Sequence, residues 1–315
     1  MRFSYSQNKK VLLYIRFPIV YNVIINAKTE VVKMDFITLN NGTKAPLVGI
    51  GTFLMQPKDA EEAVYNALTN GYRLVDTANG YMNEKAVGRG LKRSGVKREE
   101  IYLVTKLWPS VYADADDAID ATLRRLDTDY IDLLFLHQPA GDYVGAYKAM
   151  ERAVKAGKVK SLGLSNFPED QIQEVVSATE IKPAFVRVEA HPYFPETALK
   201  AYLKPMGTAV MAWYPLGHGD KSLVEEPIFT KLAEKYGKSN AQIILRWHTQ
   251  SGNVVIPGSK NVQHIRDNID IFDFILTDEE MSEIAKLDRN KRYYTATPEA
   301  LQGYLNFAPY FDSQP

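Results

Sequence analysis

Short apolar runs alternate along this chain with longer segments whose apolar side chains recur every three or four positions. The runs at 47–53, 72–77, 101–107, 130–137, 159–165, 183–190, 208–214 and 253–257 read as strands. Between them, Ala60, Ala63, Val64, Ala67 and Leu68 share one helical face in 57–70, as do Ala146, Met150 and Val154 in 144–157. Gly71 and Gly157 stand where helix C-caps belong. Asn41-Gly42, between Phe36–Leu39 and Pro46–Phe53, predicts a β-hairpin. Eight strands with intervening helices predict an α/β fold, a closed (β/α)8 TIM barrel preceded by that hairpin. Two segments add helices outside the repeat: 217–239, with a helical pattern over Glu226–Tyr236, and 277–288, which opens on a capping-box spacing of Thr277 and Glu280. The tail, 289–315, is rich in Tyr, Phe and Pro and is expected to be an ordered loop over the barrel mouth.

The domain-like pattern begins at Met34, so residues 1–33 are expected to be an extension outside the fold and 34–315 a single barrel domain. Within the extension, Arg2, Lys9 and Lys10 precede the apolar stretch Val11–Ile25, a loose imitation of a signal peptide that Arg16 and Pro18 interrupt. A chain of 315 residues fits one large domain or two small ones. Apolar residues make up 45% and charged residues 24%, an ordinary globular composition. The formal charge is zero, which gives no basic field for nucleic acid or membrane. Cysteine is absent, which excludes disulfides and thiol catalysis. The five histidines, at 137, 191, 218, 248 and 264, form no His-x-x-x-His pair, and no metal site is expected.

Polar residues at the ends of apolar strands carry the chemistry. Asp76 closes Tyr-Arg-Leu-Val-Asp, with Tyr81 five residues on; Lys106 closes Ile-Tyr-Leu-Val-Thr-Lys; His137 closes Ile-Asp-Leu-Leu-Phe-Leu-His. In a parallel barrel all these ends point to one face, where such barrels hold their active sites. A buried Lys and Asp would pair, because an isolated buried charge is very costly. A Tyr beside that cation would ionise more easily and could give a proton to a developing alkoxide. A His on the same rim can hydrogen-bond a carbonyl oxygen. Together these suit reduction of a C=O bond or protonation next to one, although Lys106 could also form a Schiff base as in an aldolase.

The segments Val75-Asp76-Thr77-Ala78-Asn79-Gly80-Tyr81-Met82-Asn83-Glu84, Val104-Thr105-Lys106-Leu107-Trp108 and Phe135-Leu136-His137 resemble the aldo-keto reductase superfamily, more narrowly its bacterial 2,5-diketo-gluconate reductase-like branch. The likeness runs from about Phe36 to about Asp288, and several separated motifs in one order make it specific. It implies reduction of aldehydes or ketones by NAD(P)H, with a catalytic tetrad of Asp76, Tyr81, Lys106 and His137. Tyr81 would be the general acid, Lys106 paired with Asp76 would lower its pKa, and His137 would orient the substrate carbonyl. Some relatives of this kind serve as non-catalytic, nicotinamide-binding redox sensors, which is a second reading.

The resemblance also implies a cofactor groove. Gly51, Thr52 and Asp76 would border it. Ser165 and Asn166 would hold the nicotinamide carboxamide, or else cap the helix that begins near 168. Trp213 would stack on the nicotinamide ring, and Leu216 and Gly217 would line the pyrophosphate. Arg187 stands where the family usually has Gln; it can donate to the carboxamide but cannot accept from it. At the adenosine end Gly258 replaces the usual Lys, and His264 the usual Arg, so two phosphate-binding cations are missing. Ser259 and Asn261 can still hydrogen-bond a phosphate, Lys260 or Arg266 could partly replace the charge, and Asp267 with Asn268 match the pair that holds adenine. The expectation is relaxed specificity: NADPH as cofactor, with NADH better tolerated than in typical relatives. For the substrate, Phe53, Trp108, Trp213 and Tyr81 predict an aromatic wall, with His137 beside it. Gln138, where many relatives have Trp, tilts the pocket toward keto-sugars or keto-acids unless it faces solvent.

Overall fold

A computed structural model describes Asn22–Val23 and residues 33–315. Eight parallel strands follow one another in chain order: β1 (Ile50–Gly51), β2 (Leu74–Asp76), β3 (Tyr102–Leu107), β4 (Ile131–Leu136), β5 (Val159–Ser165), β6 (Phe185–Glu189), β7 (Ala209–Trp213) and β8 (Asn253–Val255). A parallel bridge between Val48 and Val255 closes the ring. There the Val255 N–H donates to the Leu47 carbonyl at 2.9 Å and the Gly49 N–H to the Val255 carbonyl at 2.9 Å. Each strand lies inside its predicted run. All of β3 and β4 is buried, since helices cover a parallel sheet's outer face and side chains fill its inner one. That is why these strands read as unbroken apolar stretches.

The helices supply the outer layer. Pro57–Thr69 turns Ala60, Ala63, Val64, Ala67 and Leu68 inward, and Tyr143–Lys155 does so with Ala146, Tyr147 and Met150. The hairpin pairs Phe36–Thr38 with Lys44–Pro46. Its turn needs a left-handed residue, supplied by Gly42 at φ 82°. The tip plugs the N-terminal end of the barrel: the Asn40 amide donates to the Pro183 carbonyl at 2.9 Å and the Asn41 amide to Ser161 Oγ at 2.9 Å. Asn22–Val23 pairs antiparallel with Lys33–Met34. The rest of the expected extension lies outside the described residues.

The two added helices are Pro227–Tyr236, preceded by the short Lys221–Val224, and Asp278–Ala285. The capping box is formed: Thr277 Oγ1 accepts the Glu280 N–H at 3.3 Å, and Glu280 Oε2 accepts the Thr277 N–H at 2.8 Å. The tail differs from expectation. It is not only a loop but contains a helix, Pro298–Asn306, capped by Thr297, and a final turn at Phe311–Ser313. That helix buries none of its residues fully, so it lacks the apolar stripe that betrays a core helix.

Candidate active site

The strand register brings the rim residues together. Asp76 is the last residue of β2, Lys106 lies one residue before the end of β3, and His137 directly follows β4. Lys106 and Asp76 are fully buried. The ammonium donates to both Asp76 oxygens, at 2.8 and 2.9 Å, and to the Thr77 carbonyl at 2.5 Å. Burial pushes Lys106 down to about 7 in spite of Asp76, and the charge of Arg187 adds to that push. Tyr81 ends the turn Asn79–Tyr81, and its ring centroid lies 4.8 Å from Lys106 Nζ.

Three findings correct or extend the sequence reading here. First, Tyr81 is not made more acidic than a free phenol: burial pushes its pKa up, and Asp76 adds to this. Second, the leading cation that opposes the rise is Arg187. Arg187, buried in β6, lies 3.9 Å from Asp76 Oδ2 and 3.5 Å from Ser165 Oγ. It therefore belongs to the tetrad cluster and not only to the cofactor wall. Third, His137 is held neutral: burial and the charges of Lys106 and Arg187 keep its pKa well below 6.5. Its ring meets Tyr81 edge-on at 5.5 Å and Trp108 at 4.8 Å. Trp108 packs so closely on the turn that a Cβ on Gly80 would lie 2.7 Å from the indole.

One cavity of about 830 Å³ opens at this rim. Of the predicted residues, Gly51, Phe53, Asp76, Tyr81, Trp108, His137, Gln138, Asn166, Arg187, Trp213 and Leu216 line it. Thr52, Lys106 and Ser165 do not; they stand fully buried behind it. Thr52 Oγ1 donates to the Asp76 carbonyl at 3.0 Å, and so supports the rim from below. Ser165 and Asn166 do not cap the following helix, because Pro168 occupies that position.

The other end of the cavity suits a dinucleotide. Gly51 and Gly258 face each other so closely that a Cβ on Gly51 would come within 2.8 Å of the Ile256 carbonyl, and one on Gly258 within 3.0 Å of the Gly51 carbonyl. On the facing side the loop from Tyr214 to Gly219 carries four left-handed residues, Tyr214, Gly217, His218 and Gly219. Such a loop exposes backbone N–H groups, the kind of donor that a pyrophosphate takes. Ser259, Lys260, Asn261, His264, Asp267 and Asn268 lie beyond the cavity wall, on and before the helix Val262–Ile269. Asn261 caps that helix, accepting the Gln263 N–H at 2.8 Å. Lys260 pairs with Asp59 at 3.0 Å, and Arg266 donates to Asn70 at 2.9 Å. Lys260 is thus partly offset by a surface carboxylate, whereas exposed Arg266 keeps its charge. Among the described residues, no group of three or more His, Asp or Glu could hold a metal ion. No helix there is long and apolar enough to cross a membrane.

Residues 47–289 match the model of the aldo/keto reductase family. The chain belongs to that family. It is 40% identical over 276 residues to morphine 6-dehydrogenase of Pseudomonas putida, covering 82% of this chain and 93% of the relative. It is also 40% identical to glyoxal reductase of Bacillus subtilis, covering 82% of this chain and 94% of the relative. Among solved structures, the Bombyx mori aldo-keto reductase AKR2E4 in complex with NADP superposes with a TM-score of 0.77 at 35% identity, covering 82% of this chain and 94% of that one. The protein is accordingly an oxidoreductase that uses a nicotinamide cofactor.

In this aldo-keto reductase the tail roofs the cavity, which the sequence reading did not resolve residue by residue. Tyr294, Ala300, Gly303, Tyr304 and Phe307 line it from above. Trp108 Nε1 donates to the Tyr304 carbonyl at 2.7 Å. Gln138 does not face solvent. Its Oε1 accepts from Asn166 Nδ2 at 3.2 Å and from the Tyr294 hydroxyl at 3.3 Å, while Trp213 Nε1 donates to Asn166 Oδ1 at 2.9 Å. Tyr294 and Tyr304 share a hydrogen bond at 3.2 Å. A polar strip therefore crosses an otherwise aromatic wall. The roof is tied at both ends. Both Glu189 oxygens hold backbone N–H groups, of Tyr293 at 2.6 Å and Tyr294 at 2.9 Å. At the far end Asp312 pairs with Arg125 at 2.7 Å, and Arg125 in turn holds the buried Glu84 at 2.7 Å.

Proposed function

We propose that this enzyme reduces aldehydes or ketones to alcohols, with Tyr81 as the proton donor. The observation that carries this is the convergence of Tyr81, His137 and the Lys106–Asp76 pair on one aromatic cavity that continues into a glycine-lined groove. A reduced nicotinamide held in that groove would supply the hydride. Tyr81 gives its proton to the carbonyl oxygen. Neutral His137 donates a ring N–H to the same oxygen and fixes its direction. Asn166 would hold the carboxamide, with Ser165 backing it from behind the cavity wall, and Trp213 would offer its face to the ring. Thr52 and Asp76 keep the rim in register.

The polar strip of Gln138, Tyr294 and Tyr304 favours carbonyl compounds that carry a second oxygen, such as keto-sugars or keto-acids. NADPH serves as cofactor, with NADH well tolerated, because Gly258 and His264 supply no strong phosphate cation and the exposed Lys260 is shared with Asp59. Arg187 puts a fixed positive charge near the nicotinamide and favours the reduced cofactor over the oxidised, cationic one. The same reading has the protein act as a cytoplasmic monomer.

Lys106 is a poor candidate for a Schiff base. It does not line the cavity, and all three of its N–H groups are engaged. The test is a panel of aldehydes, diketones and keto-sugars with NADPH and NADH. Tyr81→Phe should lower kcat by about 10²–10⁴. Full activity in that variant would remove the acid role. A preference for NADPH above about a thousandfold, roughly 4 kcal/mol, would remove the relaxed cofactor specificity.

A further inference from the structure

We propose that Gln138 is the positioning residue that holds the roof over the catalytic rim, its side-chain oxygen being the acceptor on which donors from the cofactor wall and from the roof converge. The inference rests on the reading of this cavity as the carbonyl site.

The direction of every bond in this chain follows from one indole. Trp213 Nε1 can only donate, so the Asn166 atom that meets it at 2.9 Å is the amide oxygen. The other end of that amide, Nδ2, then faces Gln138 at 3.2 Å. Two amide nitrogens cannot bond each other, so the Gln138 atom there is Oε1. The Tyr294 hydroxyl lies 3.3 Å from the same oxygen and donates to it. Its proton is thereby committed, and in the 3.2 Å contact between Tyr294 and Tyr304 the donor is Tyr304. Donors thus run inward from both sides and end on Gln138. The barrel fixes where they end: the hydroxyl of buried Tyr112 donates to the Gln138 carbonyl at 2.9 Å and accepts the Gln138 N–H at 3.2 Å.

The roof needs such an attachment. It is tied at Glu189 before its helix and at Arg125 after it. Between those ties the helix Pro298–Asn306 has no fully buried residue. A short helix without a buried face is held by what it is tied to. Among the described hydrogen bonds, two more join this stretch to the barrel: Trp108 Nε1 to the Tyr304 carbonyl, and the Tyr294 hydroxyl to Gln138. The Gln138 tie reaches the roof at Tyr294 and, one bond further, at Tyr304 inside the helix. Cutting it leaves the roof on its two ends and one indole. Opening then becomes easier, and a bound carbonyl compound loses part of the wall above it. The groups on the rim keep their strand positions, and Asn166 keeps its bond from Trp213.

Roof opening is measured by hydrogen exchange, read by mass spectrometry on the peptide that carries Pro298–Asn306 in the full-length enzyme without substrate. Gln138→Leu and Tyr294→Phe should each speed that exchange by about fivefold, the worth of about one net hydrogen bond. The double variant should be no faster than the faster single one, because both cut the same chain. Gln138→Glu still accepts and should recover most of what Gln138→Leu loses. In Gln138→Leu the KM for a plain aldehyde without a second oxygen should rise by a similar factor of about five, with kcat little changed. Unchanged roof exchange in both single variants overturns the proposal. So do effects that multiply in full in the double variant, or a roof as loose in Gln138→Glu as in Gln138→Leu. Should Gln138→Leu not fold, Tyr294→Phe decides alone, since it alters nothing in the barrel, and an unmoved roof again overturns the proposal. Exchange is read without turnover, which separates the two readings. An enzyme that reduces no carbonyl compound removes the carbonyl site and leaves the roof result standing.

Discussion

The rim and the roof of the cavity are built on different principles. On the rim, Asp76, Lys106, His137, Arg187 and Trp213 sit on or directly after strands whose register is fixed by backbone hydrogen bonds to both neighbours. The roof comes from one terminal segment, fastened by side chains at Glu189 and Arg125. A rim residue is held by the whole barrel, so its loss is felt by the fold. A roof residue is held by a few contacts, so its loss is felt mainly by the substrate.

Four experiments would break or sharpen that contrast. The largest effect is expected from Asp76→Asn. It leaves the Lys106 charge buried without its carboxylate, at a cost of about 3–5 kcal/mol, read as a fall in Tm together with loss of activity. A variant as stable as wild type would show that the rim does not depend on this pair.

Acid should act on a comparable scale. His137 and His248 are both buried with lowered pKa values, His248 to about 3, chiefly through burial. The unfolded chain protonates them near 6.5, so below that pH it binds more protons than the fold does. Stability should be flat above pH 6.5 on this account and fall below it, by about 1.4 kcal/mol per pH unit for each group until the folded pKa is reached. Urea unfolding between pH 7 and 4.5 measures this, and His248→Gln should flatten the slope.

A smaller change is expected outside both regions. Gly258→Lys with His264→Arg should shift the NADPH-to-NADH ratio of kcat/KM toward NADPH by roughly tenfold, the worth of about one charge-assisted hydrogen bond. The close approach of Gly258 to the Gly51 carbonyl limits the gain from the first substitution. No shift would mean that the phosphate lies elsewhere.

The smallest effect belongs to the roof. Asp312→Ala removes a partly exposed tie to Arg125, worth about 1 kcal/mol or less. The carbonyl KM should rise severalfold, with cofactor affinity unchanged and Tm nearly so. Equal changes in carbonyl and cofactor affinity would show that roof and rim are not separable.

This contrast also explains what the sequence disclosed. The barrel, the hairpin, the capping box at Thr277 and most of the cavity wall were legible because each depends on local periodicity or on a residue at a strand end. Two things were not legible. The tail helix Pro298–Asn306 has no fully buried residue, so no stripe marks it. The direction of the Tyr81 pKa depends on a balance of burial against charges from two different strands, which no one-dimensional pattern records. Arg187 was visible as an oddity but was assigned to the cofactor, because only the packed barrel shows that β6 carries it to within 3.9 Å of Asp76.

Gly80 offers a handle on breadth of selectivity. Its φ is not left-handed, so an alanine there meets no backbone objection, only the Trp108 indole 2.7 Å away. The ring must swing to make room. Because its Nε1 is bonded to the Tyr304 carbonyl, the roof is drawn along with it. A single methyl group on this turn thus acts as a gauge for the width of the aperture, and a library that varies residue 80 alone would sort carbonyl compounds by girth without altering any group that exchanges a proton or a hydride.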